Sequence, residues 1–399
     1  MKKKVLITNF NMEIGGVERS LLSLLEKIDY DKLLISLHLH SHVGPLMTLI
    51  NSNVNLLEEK AVCNTFCLPI KQLINDRHFT LALKRLFAKA AASWFKFRYS
   101  STESGPYQLQ KIWDYCVNNT EKLKEDFDVA ISYHWPHHYT AFKVTAKKKI
   151  AWIHTDYSNI HLDNEKDLRV WEAFDYIVSI SDSCTVAFLS VYPSLKGKVI
   201  LVENLTNPEY VKQMAEAPLE IELAQGFNLV SVGRLCNAKA FDKAVEVLGE
   251  LNSRGYIDIN WYIVGEGGDR RLIESRIAKY QLEDRFNLVG STTNPYPYMN
   301  AADIYIQPSR YEGKAVTVGE ALILAKPVII TNYTTASSQI TNGVDGLICE
   351  QSIDGIADAI EHLYKNQISR NKYSSYNEKR DFNNSDQLDV LYNLLQVRI

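Results

Sequence analysis

Short apolar segments alternate with helical patterns along the whole 399-residue chain, and this alternation limits the possible folds more than any other feature. It is typical of parallel sheets in doubly wound α/β domains. The pattern occurs twice, on either side of a stretch (204–226) that contains Asn-Pro, Ala-Pro and glycine breakers. The sequence therefore predicts two Rossmann-like domains facing a central cleft, with a ligand at the carboxyl ends of the strands. The predicted strands are 4–9, 33–40, 129–133, 150–154, 176–179, 199–202, 228–233, 260–264, 286–289, 304–307, 328–331 and 346–349.

The composition is that of a globular protein from a reducing compartment. Hydrophobic residues make up 46% and charged residues 23% of the chain. No apolar run reaches the ~18 residues expected of a membrane span. The apolar segment 5–7, which follows three lysines, is too short for a signal peptide. The cysteines are scattered, which favours reduced thiols over a disulfide framework or a zinc site and predicts a cytoplasmic protein; they are Cys63, Cys67, Cys116, Cys184, Cys236 and Cys349.

Charge is distributed unevenly between the two halves of the chain. Residues 1–150 contain 21 Lys and Arg against 14 Asp and Glu, whereas the remainder contains 23 against 33. A basic first half suggests an anionic partner such as a phospholipid surface or a lipid-diphosphate acceptor, and we expect no nucleic-acid partner. Residues 81–99 are basic, aromatic and compatible with a helix. This segment fits either an interfacial helix on an anionic membrane or a helix that packs its apolar stripe on the first domain.

The most specific motif is the run 309–321, which contains two glutamates, Glu312 and Glu320, on either side of a predicted helix start. It follows the predicted strand 304–307. Free N–H groups and the helix dipole at such a turn favour a phosphate. A carboxylate farther along the helix can accept hydrogen bonds from sugar hydroxyls. Taken alone, Glu320 is equally compatible with an acidic residue placed near a helix N-terminus for electrostatic reasons.

The run resembles the paired-glutamate signature of retaining glycosyltransferases of family 4, which have the GT-B fold. Further stretches match the same family in the same order, and the resemblance covers nearly the whole chain. They are Gly15-Gly16-Val17-Glu18, Gly233-Arg234-Leu235 with Lys239, and Ile263-Val264-Gly265-Glu266-Gly267. The resemblance implies a GT-B architecture with an acceptor-binding domain at 1–205 and a nucleotide-sugar-binding domain at 206–380. It also implies that 381–399 form a helix crossing back to the first domain.

The resemblance assigns site residues to both domains. Arg234 and Lys239 neutralise a diphosphate, and Glu312 lies near the transferred sugar while Glu320 meets the ribose. His154 resembles the family histidine that contacts the donor sugar, although a histidine at a strand end is more often structural. The expected catalytic residues are therefore Glu312, His154, Arg234 and Lys239. The expected donor-binding residues are Gly15, Gly16, Arg234, Lys239, Gly265, Gly290, Glu312, Gly313, Lys314, Ala315, Val316, Thr317 and Glu320.

Three positions depart from the family pattern. Ala240 occupies the usual glycine position, and this tightens the turn that carries Lys239. Lys314 and Ala315 replace the usual aromatic residue and glycine, which puts the identity of the sugar in doubt.

The glycine pair Gly15-Gly16 lets the backbone approach a phosphate closely, although by itself it is often only a strand-to-helix turn.

Metal binding is not expected. His134, His137 and His138 form a local cluster, but no carboxylate or cysteine completes a site and the intervening proline breaks helical spacing. No Asp-x-Asp pair lies at a strand end in a metal-binding context. The sequence therefore predicts metal-independent transfer without a cofactor, from a nucleotide diphospho-sugar, expected to be UDP-linked.

The predicted function is thus a retaining hexosyltransferase in bacterial surface polysaccharide or glycoconjugate assembly, at the inner face of the cell membrane. The acceptor is expected to be a saccharide or a lipid-linked saccharide. Two alternatives stay open. A nucleotide-sugar epimerase of the same fold would use the same donor site without an acceptor. A non-catalytic GT-B partner subunit would be expected to lack Arg234, Lys239 or the paired glutamates, yet all four are present.

Overall fold

A computed structural model describes residues 2–66, 68–99 and 104–396. The chain divides into two compact units. The first contains Leu21–Glu203, the segment before Ile14 and the chain from Asp386 onwards, and the second contains Ile14–Ser20 and Asn204–Ser385. The sequence placed all of 1–205 in the first domain, so Ile14–Ser20 differs from that expectation. Of the six cysteines, Cys67 lies outside the described residues.

Each unit is built on one parallel sheet, and the predicted fold class of two doubly wound α/β domains is confirmed. The first sheet has the order β3-β2-β1-β4-β5-β6-β7 and the second has the order β10-β9-β8-β11-β12-β13. The strands are β1 Lys3–Asn9, β2 Leu33–Leu39, β3 Asn55–Leu56, β4 Asp126–Ser132, β5 Thr145–Ile153, β6 Tyr176–Ser179, β7 Val199–Leu201, β8 Phe227–Val232, β9 Ile259–Val264, β10 Phe286–Gly290, β11 Ile304–Gln307, β12 Val328–Thr331 and β13 Leu347–Cys349.

Helices connect the strands and cover the sheets. They are α1 Gly16–Lys27, α2 Ala61–Asn64, α3 Ile70–Asn75, α4 Phe79–Tyr99, α5 Gly105–Cys116, α6 His138–Lys143, α7 Asn164–Glu172, α8 Asp182–Val191, α9 Pro208–Met214, α10 Phe241–Ser253, α11 Arg270–Tyr280, α12 Tyr296–Ala301, α13 Val316–Ile323, α14 Ile353–Lys365, α15 Gln367–Lys379 and α16 Asp386–Leu395.

Helix starts coincide with capping residues where the sequence supplies them. Ser181 Oγ accepts a hydrogen bond from Cys184 N at 3.1 Å at the start of α8, and Ser352 Oγ accepts one from Gly355 N at 2.9 Å at the start of α14. Such caps satisfy backbone donors that have no partner inside a helix. Helix α13 is different, because Ala315 precedes it and provides no side-chain cap. Its first N–H groups are therefore available to another acceptor.

The second sheet is buried on both faces, which explains why its strands are continuous apolar runs. In β9, Trp261 and Ile263 belong to one hydrophobic cluster, with α10, α11 and α14, whereas Tyr262 and Val264 belong to the other. Alternate residues of a strand point to opposite faces, so each core is formed by every second side chain. This arrangement leaves only the carboxyl ends of the strands and their loops to bind a ligand.

Helix α16 belongs to the first unit. Lys148 Nζ donates to Leu394 O at 2.9 Å, and the hydroxyl of Tyr392 accepts a hydrogen bond from Asp29 N at 2.8 Å. Residues 397–399 of the predicted C-terminal segment lie outside the described residues.

Within the part of the chain that the structure describes, no helix combines the length and the apolar character that crossing a membrane requires.

Candidate functional site

Three glycines lie at the carboxyl ends of β8, β9 and β10. Gly265 has φ 152°, and a Cβ built on it would lie 2.0 Å from the carbonyl oxygen of Gly233. Its N–H donates to Gly290 O at 2.7 Å. Only a glycine allows both this conformation and this close approach. Gly233, Gly265 and Gly290 therefore lie side by side at the strand ends, where Gly265 is buried and the other two glycines are half-buried.

The loop after β8 carries the two predicted cations. Arg234 is exposed, and Lys239 ends a short 3-10 turn over Asn237–Lys239. Ala240 follows with φ 57° and ψ 31°, the left-handed conformation that favours glycine. The expectation that alanine at this position affects the turn is consistent with this geometry, because an L-residue in the left-handed region costs about 1–2 kcal/mol.

Arg310 fixes the position of the Lys239 turn. Its two terminal nitrogens donate to the two carboxylate oxygens of Asp242, each at 2.8 Å, and its Nη1 also donates to Asn237 O at 2.6 Å. Its backbone N–H donates to Ala238 O at 2.7 Å. The hydrogen bonds to Asp242 raise the pKa of Arg310. Burial raises the pKa of Asp242, but the hydrogen bonds and charge of Arg310 outweigh it, so that pKa is lowered overall.

Lys239 and Glu312 form an ion pair at the centre of the site. Lys239 Nζ lies 2.5 Å from Glu312 Oε1, and the two side chains are 20% and 10% exposed. The same oxygen accepts hydrogen bonds from Gln307 Nε2 at 3.0 Å and Ser309 Oγ at 2.6 Å. Three donors on one oxygen hold the carboxylate in a single orientation. The ammonium group of Lys239 has three donors, so it can bind an anion without releasing Glu312.

Side chains of the second unit hold the turn that precedes α13. Gln339 binds both backbone groups of Ala315: its Oε1 accepts from Ala315 N at 3.0 Å, and its Nε2 donates to Ala315 O at 2.9 Å. Thr317 Oγ1 lies 2.8 Å from the buried hydroxyl of Tyr305, whose pKa is raised by burial. Gly313 is buried, whereas Lys314 and Val316 are half-buried. The backbone of Ala315, at the start of the predicted cradle, is therefore held at both its N–H and its carbonyl group by one side chain.

Glu320 is 6% exposed, and its two carboxylate oxygens have different surroundings. Oε1 accepts a hydrogen bond from the Tyr296 hydroxyl at 2.7 Å, whereas the buried Oε2 has no hydrogen-bond partner among the described residues. Arg19 Nη1 in turn donates to the Tyr296 hydroxyl at 3.0 Å. Burial and the charge of Glu320 raise the pKa of Tyr296, so its hydroxyl keeps its proton and remains a donor. Tyr296 thus fixes the carboxylate through Oε1, while Oε2 lies buried without a partner among the described residues.

The glycine pair of the second unit lies beside the same groups. A Cβ on Gly15 would lie 3.7 Å from Arg234 Nη2, and one on Gly16 would lie 3.7 Å from Val316 Cγ2. The structure thus brings Gly15 and Gly16 together with Arg234 and the start of α13, although more than 200 residues of sequence separate them.

His154 belongs to the first unit and follows β5. Its ring lies 4.7 Å from that of Tyr133, and Nε2 is buried without a hydrogen-bond partner among the described residues. Burial, together with the nearby His134, lowers the pKa of His154 to about 3. The imidazole is therefore neutral at physiological pH.

Of the three clustered histidines, His137 and His138 are packed inside the first unit, whereas His134 is half-buried. His137 Nδ1 lies 2.8 Å from Ser132 Oγ, and His138 Nε2 lies 3.1 Å from Asp114 Oδ1 at the start of α6. Both side chains are buried. These contacts use protein partners and do not form a metal-ligand set.

Several residues that shape the site were not assigned by the sequence. Arg310 lies within the motif 309–321, but no pattern in the sequence predicts that it pairs with Asp242. Arg19, Tyr296 and Gln339 lie far from the motif and carry no recognisable spacing. Only the folded chain brings their polar atoms to Glu320 and Ala315.

Comparisons with known proteins show which sequences and structures this chain resembles. Residues 222–380 match the sequence family described as glycosyl transferases group 1. A lipopolysaccharide core biosynthesis glycosyltransferase of Rhizobium meliloti is 26% identical over 45% of this chain and 51% of its own. The 2-deoxystreptamine N-acetyl-D-glucosaminyltransferase of Niallia circulans is 22% identical over 72% of this chain and 80% of its own. The chain spans about half or less of the length of the first curated relatives that it matches.

The fold has close structural counterparts. A crystal structure of a Staphylococcus aureus TarM mutant in complex with fondaparinux, alpha-GlcNAc-glycerol and UDP superposes with a TM-score of 0.70. The two share 16% sequence identity, and the match covers 98% of this chain and 99% of TarM. Residues 222–380 thus resemble glycosyl transferases group 1 in sequence, and the chain has the fold of GT-B glycosyltransferases and resembles their family 4.

Proposed function

We propose that the protein is a metal-independent, retaining glycosyltransferase of the hexosyltransferase type. It moves a sugar from a nucleotide diphospho-sugar, UDP-linked, to a hydroxyl of a saccharide or a lipid-linked saccharide. Its setting is bacterial surface polysaccharide or glycoconjugate assembly, at the inner face of the cell membrane. The relatives named in lipopolysaccharide core biosynthesis and aminocyclitol glycosylation, and the UDP-bound TarM structure, support this assignment.

The observation that carries the proposal is the buried carboxylate of Glu320, in which only one of the two oxygens accepts a hydrogen bond from the described residues. A buried carboxylate oxygen without a partner is costly, and a hydroxyl donor from a ligand removes that cost. Tyr296 holds the other oxygen and so sets the direction in which Oε2 is presented. A ribose, with two adjacent hydroxyls, suits this single acceptor.

The diphosphate binds where positive charge and free N–H groups converge. Arg234 and Lys239 supply the cations, and the uncapped start of α13 supplies donors at Val316 and Thr317. The Gly15-Gly16 turn lies beside both. In the transition state negative charge grows on the leaving diphosphate, so donors that are already in position lower the barrier.

The transferred sugar lies against Glu312 and the Gly313–Val316 backbone, with Gly265 and Gly290 forming the opposite backbone edge. Three hydrogen bonds orient Glu312 towards the sugar hydroxyls. Configuration is retained because the acceptor hydroxyl attacks on the face from which the diphosphate leaves. His154 contributes a neutral imidazole to the binding of the donor sugar.

Removing the charge of Glu320 tests the ribose contact. We expect Glu320→Gln to weaken UDP binding by about tenfold or more, because a hydrogen bond to a charged group contributes about 1.5–3 kcal/mol. Isothermal titration would compare UDP with 2′-deoxy-UDP and 3′-deoxy-UDP. The deoxynucleotide that lacks the contacted hydroxyl should bind equally well to the variant and to the parent protein, because neither can form this hydrogen bond with it. The exposed Glu283→Gln serves as control. Equal losses for UDP and both deoxynucleotides would contradict the ribose role.

The reaction itself is tested by incubating the protein with a panel of nucleotide sugars, with and without saccharide acceptors. We expect slow hydrolysis of the preferred donor alone and fast transfer when an acceptor is present. Conversion of the donor alone into its epimer would identify the protein as an epimerase instead. Donor binding without turnover of any panel member would favour a non-catalytic subunit.

Chelation tests whether the reaction needs a divalent ion. Because Arg234, Lys239 and the start of α13 neutralise the diphosphate in the proposal, the initial transfer rate should be unchanged after brief exposure to excess EDTA. Transfer would be measured by UDP release. Loss of activity that magnesium or manganese restores would show that a metal, rather than these cations, supports the leaving group.

Helix α4 is the proposed membrane contact. The sequence left open whether this helix packs on the first domain or lies on a membrane, and its two faces correspond to these two alternatives. One face packs: Ala88 and Ala92 are fully or almost fully buried, and the ring of Phe95 stacks on that of Tyr107 at 4.1 Å. The other face exposes large apolar side chains at helical spacing, among which Phe87, Trp94 and Phe97 are 60%, 63% and 87% exposed. Exposed Lys89 and Lys96 lie on the same helix, and this combination suits an anionic bilayer.

Vesicle sedimentation tests this contact. We expect binding to anionic vesicles that weakens with salt, because each basic residue near the surface contributes about 1 kcal/mol. Replacing Phe87, Trp94, Lys89 and Lys96 with serine should abolish it while transfer to a soluble acceptor continues. Lys84 and Arg85 stay unchanged because they donate to Asn119 and Thr65. The control is Val186→Ser, since Val186 is 70% exposed on α8 of the same unit. Unchanged binding of the four-residue variant would refute the contact.

A further inference from the structure

Two histidines and a cysteine that the proposed function does not use meet in the interior of the first unit. They are His38 in β2, His40 just after it, and Cys63 in α2. His38 and His40 are two residues apart, so they lie on the same face of the sheet. One ligand atom of each residue lies within 4.8 Å of the other two. All three side chains are buried, with exposed fractions of 0%, 4% and 0%.

The ring nitrogens of the two histidines have few hydrogen-bond partners among the described residues. Neither ring nitrogen of His38 has a hydrogen-bond partner among the described residues, and Nδ1 of His40 has none either. Buried polar atoms of native proteins almost always have a partner, so such groups need an explanation. A metal ion bound to one nitrogen of each ring would satisfy part of this deficit.

Aromatic rings border the two histidines. The rings of Tyr139 and Trp113 lie 4.8 Å from His38 and 4.9 Å from His40, respectively. The three-residue set contains no carboxylate, which disfavours magnesium and calcium.

We infer that His38, His40 and Cys63 bind one zinc ion, with a water molecule in the fourth position of the tetrahedron. Two imidazole nitrogens and one thiolate are ligands that zinc prefers, at about 2.0 Å and 2.3 Å, and tetrahedral angles then separate ligand atoms by about 3.5 Å. The ligand atoms, which now lie within 4.8 Å of one another, would move closer together when the ion binds. Zinc joins β2 to α2, and so it fastens the segment between them to the sheet. Binding displaces the proton of the Cys63 thiol to solvent. No step of the proposed sugar transfer passes through it.

Metal analysis and cobalt substitution test the site in the full-length protein. We expect about one zinc per chain after dialysis against metal-free buffer. Cobalt added to the metal-free protein should give a thiolate-to-cobalt charge-transfer band and a tetrahedral visible spectrum. Cys63→Ser should lose the band, and His40→Gln should lose zinc, whereas Cys116→Ser should keep both. Cys116 is a matched control because it is a buried cysteine of the same hydrophobic cluster. Zinc should raise the melting temperature of the parent and of Cys116→Ser only.

A measurement on the unsubstituted protein covers the case in which the variants fail to fold. Zinc should protect the Cys63 thiol from alkylation, as read by mass spectrometry of its peptide, and leave the alkylation of Cys236 unchanged. The inference is overturned if the parent retains no zinc and gives no cobalt band. It is also overturned if Cys63→Ser binds both metals like the parent, or if zinc gives Cys63 no protection.

Discussion

Replacing Lys239 with alanine is expected to lower kcat/KM for transfer by about two to three orders of magnitude, which corresponds to roughly 3–4 kcal/mol of transition-state stabilisation. Two effects add in this variant. The leaving diphosphate loses a cation, and Glu312 loses one of the three donors that orient it. Arg234→Ala removes only the cation and is expected to fall in the same range, while Glu312 keeps its contacts.

Steady-state kinetics with a saturating acceptor would check both variants, and far-UV circular dichroism would confirm that they fold. Lys379→Ala is the matched control, because Lys379 is an exposed lysine of the same unit on α15. The two variants should differ in one respect: Lys239→Ala changes discrimination between donor sugars, whereas Arg234→Ala lowers turnover of all donors alike. Near-parent turnover of both variants would remove the diphosphate role.

Replacing Gly265 with alanine is expected to destabilise the second unit by about 2–6 kcal/mol. The estimate combines the strain of a conformation reserved for glycine, about 1–3 kcal/mol, with the overpacking of a methyl group, about 1–3 kcal/mol. The methyl group would stand 2.0 Å from a backbone oxygen, so only a backbone shift can relieve the clash. That shift moves Gly233 and the loop that carries Arg234 and Lys239.

Scanning calorimetry would measure this change through the transition that UDP stabilises, since binding to the folded state raises its melting temperature. Gly268→Ala is the control, because a Cβ there meets no atom within 4 Å. We expect the control to melt like the parent protein. If Gly265→Ala also melts like the parent and binds UDP normally, the close approach of the strand ends is not a structural requirement.

The fold and the motif positions could be predicted from the sequence because both depend on local patterns. Apolar runs between helical segments mark strands that are buried on both faces, and the second sheet bears this out. Gly265 and Gly290 follow predicted strands, so their place at the strand ends follows from the fold class. The paired glutamates flank a helix start, which is also a local property. The short edge strand β3 was missed because two residues carry no periodicity.

The tertiary structure alone decided how the polar groups pair. Parallel strands joined by crossover helices bring segments that are distant in sequence to one edge of a sheet. At that edge Lys239 meets Glu312, Arg310 meets Asp242, and Arg19 and Tyr296 leave one oxygen of Glu320 unpartnered. The sequence places cations and carboxylates in the same motifs, but it does not show which of them pair. Side-chain pairing depends on register and rotamer. The same applies to His38, His40 and Cys63, which become neighbours only when α2 packs on the sheet.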